Sequence, residues 1–384
     1  MKRILKLLLI AAGIMATIPA QKLMAQISPG NTAHHFELGK PVITNWPPKA
    51  YEAQPQNWAI VQDDRGVMYF GNGNGILEYD GVSWRLIELP NKNTCRSLAK
   101  DAKGRIFAGG VGIFGYLAPD PGLRGGAMRF VSLLPQVPEA ERDFADVWES
   151  YVVGGTVYFR TNKYLFGWTP WGTASTGVEM TGELKRWKPD LSFSLSFAVD
   201  NVLYIREREK GLLRMQGDSL QLVPGGERFA TEGVGVMLPF PAPLSVTKHS
   251  NKGAGSSRSI LIGSSKQGLL LYDGHSFSSF KTEADDHLQK HRLYSPGTVL
   301  PDGRFLLGTI SGGVVVIDSQ GRLLQTIDRS AGLQDNTVLN VYPDPTRPEA
   351  QWLALEKGLA RVEAAGPFST WDAGKGLEGL VYKI

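Results

Sequence analysis

Disulfides are excluded first: the 384-residue chain holds a single cysteine, Cys95, so no intramolecular bridge can form. Cys95 sits in the apolar run Thr94-Cys95-Arg96-Ser97-Leu98 with no histidine nearby in sequence, which reads as a small core residue rather than a nucleophile. Long hydrophobic runs are missing as well. The one apolar stretch, residues 7–18, is short for a bilayer span and follows Lys2, Arg3 and Lys6. Small residues come next, so residues 1–25 read as a secretory signal peptide cleaved after Ala20 or Ala25, and no cysteine follows to carry a lipoprotein anchor. Charge of one sign is also lacking. The formal charge of +4 (41 minus 37) includes Lys2, Arg3, Lys6 and Lys22, so the chain after Ala25 is neutral (37 minus 37). A nucleic-acid partner or an anionic membrane surface loses its electrostatic support.

Catalytic and metal-binding patterns are sparse. His287 and His291 stand four apart, but the glutamate of a metalloprotease motif is absent, and the stretch reads as a solvated loop between repeats. His34-His35 lies in a frayed lead-in. Asp146 and Glu149 flank Trp148, yet residues three apart on a strand point to opposite faces, so they do not form a glycosidase pair alone. Gly71-Asn72-Gly73-Asn74-Gly75 precedes no helix and reads as turn chemistry, not a phosphate cradle. No nucleophile elbow or calcium loop occurs. The expectation is a protein without metal or cofactor, and not an enzyme.

What the chain has is turns. Residues 57–90 hold four short runs, WAIVQ, VMYFG, GILEY and SWRLIEL, separated by Asp64-Arg65-Gly66, the Gly71–Gly75 segment and Asp80-Gly81. Such runs, rich in β-branched and aromatic residues and bounded by Gly, Asn and Asp, predict a four-stranded antiparallel meander. The pattern recurs six more times. Its second strand returns as Ile106-Phe107-Ala108, Val157-Tyr158-Phe159, Leu203-Tyr204-Ile205, Ile260-Leu261-Ile262, Phe305-Leu306-Leu307 and Trp352-Leu353-Ala354. Its third strand opens at Gly75, Gly112, Gly211, Gly268, Gly313 and Gly358, with Lys163 in the third copy. Four strands at this period cannot bury both faces of their sheet alone; radial stacking can. The fold class is therefore all-β, a seven-bladed β-propeller of four-stranded antiparallel blades over 57–384, with residues 377–384 as the start of an eighth unit. Residues 26–56 form a lead-in whose Phe36, Val42, Ile43 and Trp46 supply a strand to clasp the last blade. Longer polar loops are expected at 119–126, 169–182 and 248–259.

The phrases Gly332-Leu333-Gln334-Asp335-Asn336-Thr337, Gly75-Ile76-Leu77-Glu78-Tyr79-Asp80-Gly81 and Phe144-Ala145-Asp146-Val147-Trp148 resemble the repeat of two-component regulator propellers. These form the sensor region of bacterial hybrid histidine kinases and of triple-tyrosine regulators. The resemblance covers nearly all of the chain after the leader, and implies an exported, periplasmic or extracellular location and recognition of a signal, often a carbohydrate. The chain lacks a second propeller, a triple-tyrosine domain and an output domain, which makes a membrane-bound signalling partner or a C-terminal continuation the expected route of output.

In a propeller, the turns between second and third strands share a face with the crossings between blades. These place Asn72, Arg160 and Arg206 on turns, and Arg96, Asp146, Trp148, Tyr294 and Asn336 on crossings or inner strands. Amide, guanidinium and aromatic groups together suit a small polar ligand or oligosaccharide, by planar hydrogen bonding and stacking. Two other readings compete: a propeller enzyme such as a polysaccharide lyase or hydrolase, and a protein-binding scaffold.

Overall fold

A computed structural model describes residues 39–122, 126–171, 180–240, 259–294 and 297–371. Residues 1–25, read above as a signal peptide, Phe36, His34-His35, most of the 248–259 segment and residues 377–384 lie outside the described residues. Seven four-stranded antiparallel sheets make up a propeller. Blade one is β3 (Asn57–Gln62), β4 (Met68–Asn72), β5 (Gly75–Tyr79) and β6 (Trp84–Ile87). Blade two is β7 (Cys95–Lys100), β8 (Ile106–Gly110), β9 (Ile113–Pro119) and β10 (Met128–Ser132). Blade three is β11 (Glu149–Val153), β12 (Thr156–Arg160), β13 (Leu165–Trp171) and β14 (Thr181–Trp187). Blade four is β15 (Phe193–Val199), β16 (Val202–Glu207), β17 (Gly211–Gln216) and β18 (Ser219–Leu222). Blade five is β19 (Val234–Pro239), β20 (Ile260–Ser264), β21 (Gly268–Tyr272) and β22 (Phe277–Ser279). Blade six is β23 (Thr298–Val299), β24 (Phe305–Gly308), β25 (Val314–Ile317) and β26 (Leu323–Ile327).

Blade seven takes β27 (Val338–Pro343), β28 (Gln351–Leu355) and β29 (Leu359–Val362) from the end of the repeat array, and its outermost strand from the lead-in, β2 (Ile43–Trp46). Ile43 pairs with Val362 and Trp46 with Leu359, so strands from opposite ends of the chain close the propeller. Trp46 stacks on Trp352 with centroids 4.7 Å apart, and Gln334 Nε2 donates to the carbonyls of Trp46 and Leu359 at 3.1 and 2.7 Å. A two-residue ladder, β1 (Lys40–Pro41) with β30 (Ser369–Thr370), extends the junction.

The turns are built as their residues require. Asp80 Oδ1 accepts the amides of Val82 and Ser83 at 2.8 and 2.7 Å, which tightens the last hairpin of blade one. Gly75 opens β5 at φ 136°, and a Cβ there would stand 2.5 Å from the carbonyl oxygen of Ile87, so only glycine fits. Hydrophobic faces meet between neighbouring blades. Phe107, Phe114, Phe159, Phe166 and Trp168 fill the space between blades two and three. Leu306, Val314, Val338 and Leu353 fill that between six and seven. The 169–182 stretch, expected as one polar loop, instead carries ladder pairs out to Trp171 and Thr181. Two short α-helices are present among the described residues, α1 (Pro48–Tyr51) and α2 (Asp285–His291). The second corrects the reading of His287 and His291 as loop residues; ahead of it, Thr282 Oγ1 donates to Asp285 Oδ1 at 2.7 Å and accepts the amide of Ala284 at 3.2 Å.

Candidate functional site

The first strand of each repeat lines the axis, and five of these inner strands share one irregularity. Pairing of β3 with β4 skips from Asn57 to Ala59, leaving Trp58 as an extra residue. The same shift leaves Arg96 unpaired in blade two, Ser194 and Leu195 opposite Arg206 in blade four, Gly235 in blade five and Leu339 in blade seven. In blade three the Trp148 amide donates to Arg160 O just ahead of β11, and in blade six Tyr294 does so to Gly308 O ahead of β23. A bulge re-aims its extra side chain and raises the local twist. One residue from each blade stands at the axis, where Trp58, Arg96, Trp148, Leu195, Gly235, Tyr294 and Leu339 surround a cavity of about 120 Å³.

The chemistry of that cavity is concentrated on blades one to three and six. The Arg96 guanidinium lies 4.2 Å from the ring centroid of Trp58 and 5.0 Å from that of Trp148. The two indoles meet edge to face at 6.1 Å and 70°. Arg96 Nε donates to Asp146 Oδ1 at 2.8 Å, which fixes the guanidinium between the rings. Its two terminal nitrogens make no hydrogen bond among the described residues and remain available. Trp58 Nε1 is buried and has no hydrogen-bond partner among the described residues. Tyr294 borders the same space, and burial, then the nearby Glu149 carboxylate, push its hydroxyl above the usual phenol range. Glu149 forms another part of the wall. Its Oε2 is held by Arg160 and by Ser196 Oγ at 3.2 Å. Burial pushes the Glu149 carboxyl up, while its contact with Arg160 pulls in the other direction without cancelling the rise.

The eight residues named from sequence fall into two groups. Arg96, Trp148 and Tyr294 line the cavity, and Asp146 holds Arg96. Arg160 stands behind the wall, almost fully buried, and positions Glu149. Asn72 is not on an open turn: it ends β4, fully buried, and its Nδ2 lies within 2.7–3.1 Å of Gln54 O, Gln56 O and Asn57 Oδ1. Arg206 is likewise spent on the carbonyls of Phe229 and Ala230 at 2.8 and 2.7 Å, and burial lowers its pKa. Asn336 Oδ1 accepts the amide of Arg329 at 2.8 Å, within the crossing into blade seven. Sequence reasoning missed Trp58, Glu149 and Asn340, all on this wall. Trp58 was findable, because it holds the same place in the first repeat as Arg96 does in the second. His287 and His291 sit away from the axis, their rings stacked loosely at 4.5 Å and directed to Gly312 O and Ser311 Oγ. No cluster of three or more metal-ligating side chains occurs among the described residues.

Fold and mouth together define a closed seven-bladed propeller with an aromatic and guanidinium-lined axis. No protein-family model and no curated protein matches the chain. Solved structures do. The extracellular domain of the putative one-component system BT4673 from B. thetaiotaomicron is similar over 85% of this chain and 40% of its own, with TM-score 0.56 and 17% identity. A second structure of that domain, described as a hybrid two-component system, gives TM-score 0.56 over 84% and 39%. The chain thus spans about 40% of the length of that domain. Virginiamycin B lyase from Staphylococcus aureus, solved as a catalytically inactive variant with quinupristin, gives TM-score 0.57 and 12% identity over 84% and 98%. The WD40 propeller domain of Doa1 gives TM-score 0.54 and 13% identity over 85% and 96%. At such identities the likeness establishes the propeller fold, which sensor-system domains and enzymes share. Among the described residues no helix is long and apolar enough to cross a membrane.

Proposed function

We propose that this chain is an exported, non-catalytic ligand-binding propeller of a signalling system, and that its axial mouth takes a polar ring, a sugar residue being the chemistry of best fit. The observation that carries this reading is the Trp58–Arg96–Trp148 arrangement, two indoles and a guanidinium with two terminal nitrogens that make no hydrogen bond among the described residues, all lining one cavity. Aromatic faces stack on the apolar side of a sugar while Arg donates to its hydroxyls. A cavity of about 120 Å³ is small beside the ~300 Å³ or more of sites that engulf drug-sized ligands. One terminal ring enters, and the remainder of an oligosaccharide lies across the mouth. The likeness to an extracellular domain of a one- or two-component system supports an exported sensor role, with output through a partner protein or a continuation of the chain.

The enzyme reading has one specific observation in its favour: Glu149 and Tyr294, both with raised pKa values, share the cavity. Glu149 is committed to Arg160 and Ser196, however, which suits a wall residue better than a proton carrier. Calorimetric titration of neutral oligosaccharides into the mature protein, with chromatography of the ligand afterwards, separates the two. Binding of intact ligand supports the sensor; cleaved or eliminated product hands the site to catalysis.

A further inference from the structure

The face that carries the axial mouth holds a second cleft, of about 190 Å³, between blades five and six. The turn joining β20 to β21 supplies one side, and α2 with the residues after it supplies the other. Three cations line it, Lys266, Lys281 and Arg292, against one carboxylate, Asp285. Asp285 is occupied: Oδ1 accepts from the Thr282 amide and hydroxyl at 3.1 and 2.7 Å, and Oδ2 lies 3.8 Å from Lys281 Nζ. Gln267 is occupied too, bonded to Glu232 and to Arg228. Lys266 and Arg292 have no side-chain partner among the described residues.

Arg292 also holds a backbone position that penalises it. It ends α2 at φ 54° and ψ 105°, with its amide donating to Leu288 O. Glycine is the usual residue where a helix terminates with positive φ, because any Cβ is strained there. A long cationic side chain kept at such a point, lining a cleft and unpaired, indicates strain retained for the guanidinium.

We propose that this cleft is an oxyanion-binding site, in which Arg292 grips a carboxylate or phosphate of a small molecule through its planar fork and Lys266 adds a second charge. Occupancy of the cleft does not depend on the axial mouth. The test is calorimetric titration at low salt with glucose 6-phosphate, glucuronate and uncharged glucose, each against the wild-type chain, Arg292→Gly, Lys266→Ala and Arg96→Ala. At least one anion binds, glucose does not displace it, and the stronger of the two anions tells phosphate from carboxylate. Arg292→Gly weakens that binding about ten- to hundredfold while leaving the melting temperature unchanged or higher, because it relieves the backbone. Lys266→Ala, whose exposed side chain has no hydrogen-bond or ion-pair partner among the described residues, weakens it several-fold and answers the question even if Arg292→Gly disturbs folding. Arg96→Ala leaves anion affinity unchanged. The proposal is overturned if neither anion binds at millimolar concentration, if both cleft variants bind as the wild type does, or if Arg96→Ala alone abolishes binding.

Discussion

Replacing Arg96 by alanine removes three interactions at once, and their sum can be worked out. The Arg96–Asp146 pair is 2.8 Å long, with the two side chains 19% and 22% exposed. That places it between a surface pair, at ~0–1 kcal/mol, and a hydrogen bond to a charged group, at ~1.5–3 kcal/mol, so ~1–2 kcal/mol is expected. The two cation–π contacts, at 4.2 and 5.0 Å, add roughly 0.5 kcal/mol each at this partial exposure. The total is ~2–3 kcal/mol, or a fall of roughly 3–4 °C in melting temperature for a propeller of this size. A thermal or denaturant melt of Arg96→Ala, Asp146→Ala and the double variant measures it. The cycle should return ~1–2 kcal/mol of coupling between the two positions. Coupling below ~0.3 kcal/mol would mean that Asp146 does not hold the guanidinium, and the account of a fixed Arg96 between two indoles would fail.

Three further outcomes follow from the packing. Trp46→Ala, which removes the stacking of the closing strand on Trp352, should cost ~2–4 kcal/mol and expose the seam to proteolysis; an unchanged melting curve would show that closure lies elsewhere. Gly75→Ala should cost ~1–3 kcal/mol, since its φ of 136° and the Ile87 carbonyl at 2.5 Å leave no room for a Cβ, and a neutral result in a denaturant melt would contradict the turn geometry. Burial pushes the Cys95 thiol up to about 12, from 9.0. A raised folded-state pKa means that the stabilisation from keeping this thiol neutral is complete below pH 9 and is lost as pH climbs toward 12. At pH 8 the native protein should therefore resist a thiol reagent that labels the unfolded chain within minutes, and rapid native labelling would refute the burial of Cys95.

The propeller was legible because its signals are local. A glycine opening the third strand, at positions such as Gly75 and Gly313, punctuates six of the seven blades regardless of what packs on it, and Asp-Gly hairpins such as Asp80-Gly81 add to the signal. The clasp was legible from Ile43 and Trp46, apolar residues ahead of the first repeat. The site was only partly so. A bulge adds one residue against a partner strand that the sequence does not display, so Trp58 read as an ordinary strand residue. Asn72 and Arg206 look like loop residues because polar side chains surround them in sequence. In the structure β4 runs through Asn72 and β16 through Glu207, and both side chains turn inward to satisfy backbone groups. The helix at Asp285–His291 was missed because two turns carry little periodicity.

The most direct test of the axial mouth is two-dimensional NMR of the indole N–H resonances during titration with an oligosaccharide that binds by calorimetry. Assignment by Trp58→Phe and Trp148→Phe identifies the two signals at the axis. Because Trp58 and Trp148 line the cavity, both axial indole signals should shift and saturate with the calorimetric affinity. Shifts confined to the exposed Trp171 or Trp371, with Trp58 and Trp148 unmoved at saturation, would place the ligand elsewhere and contradict it.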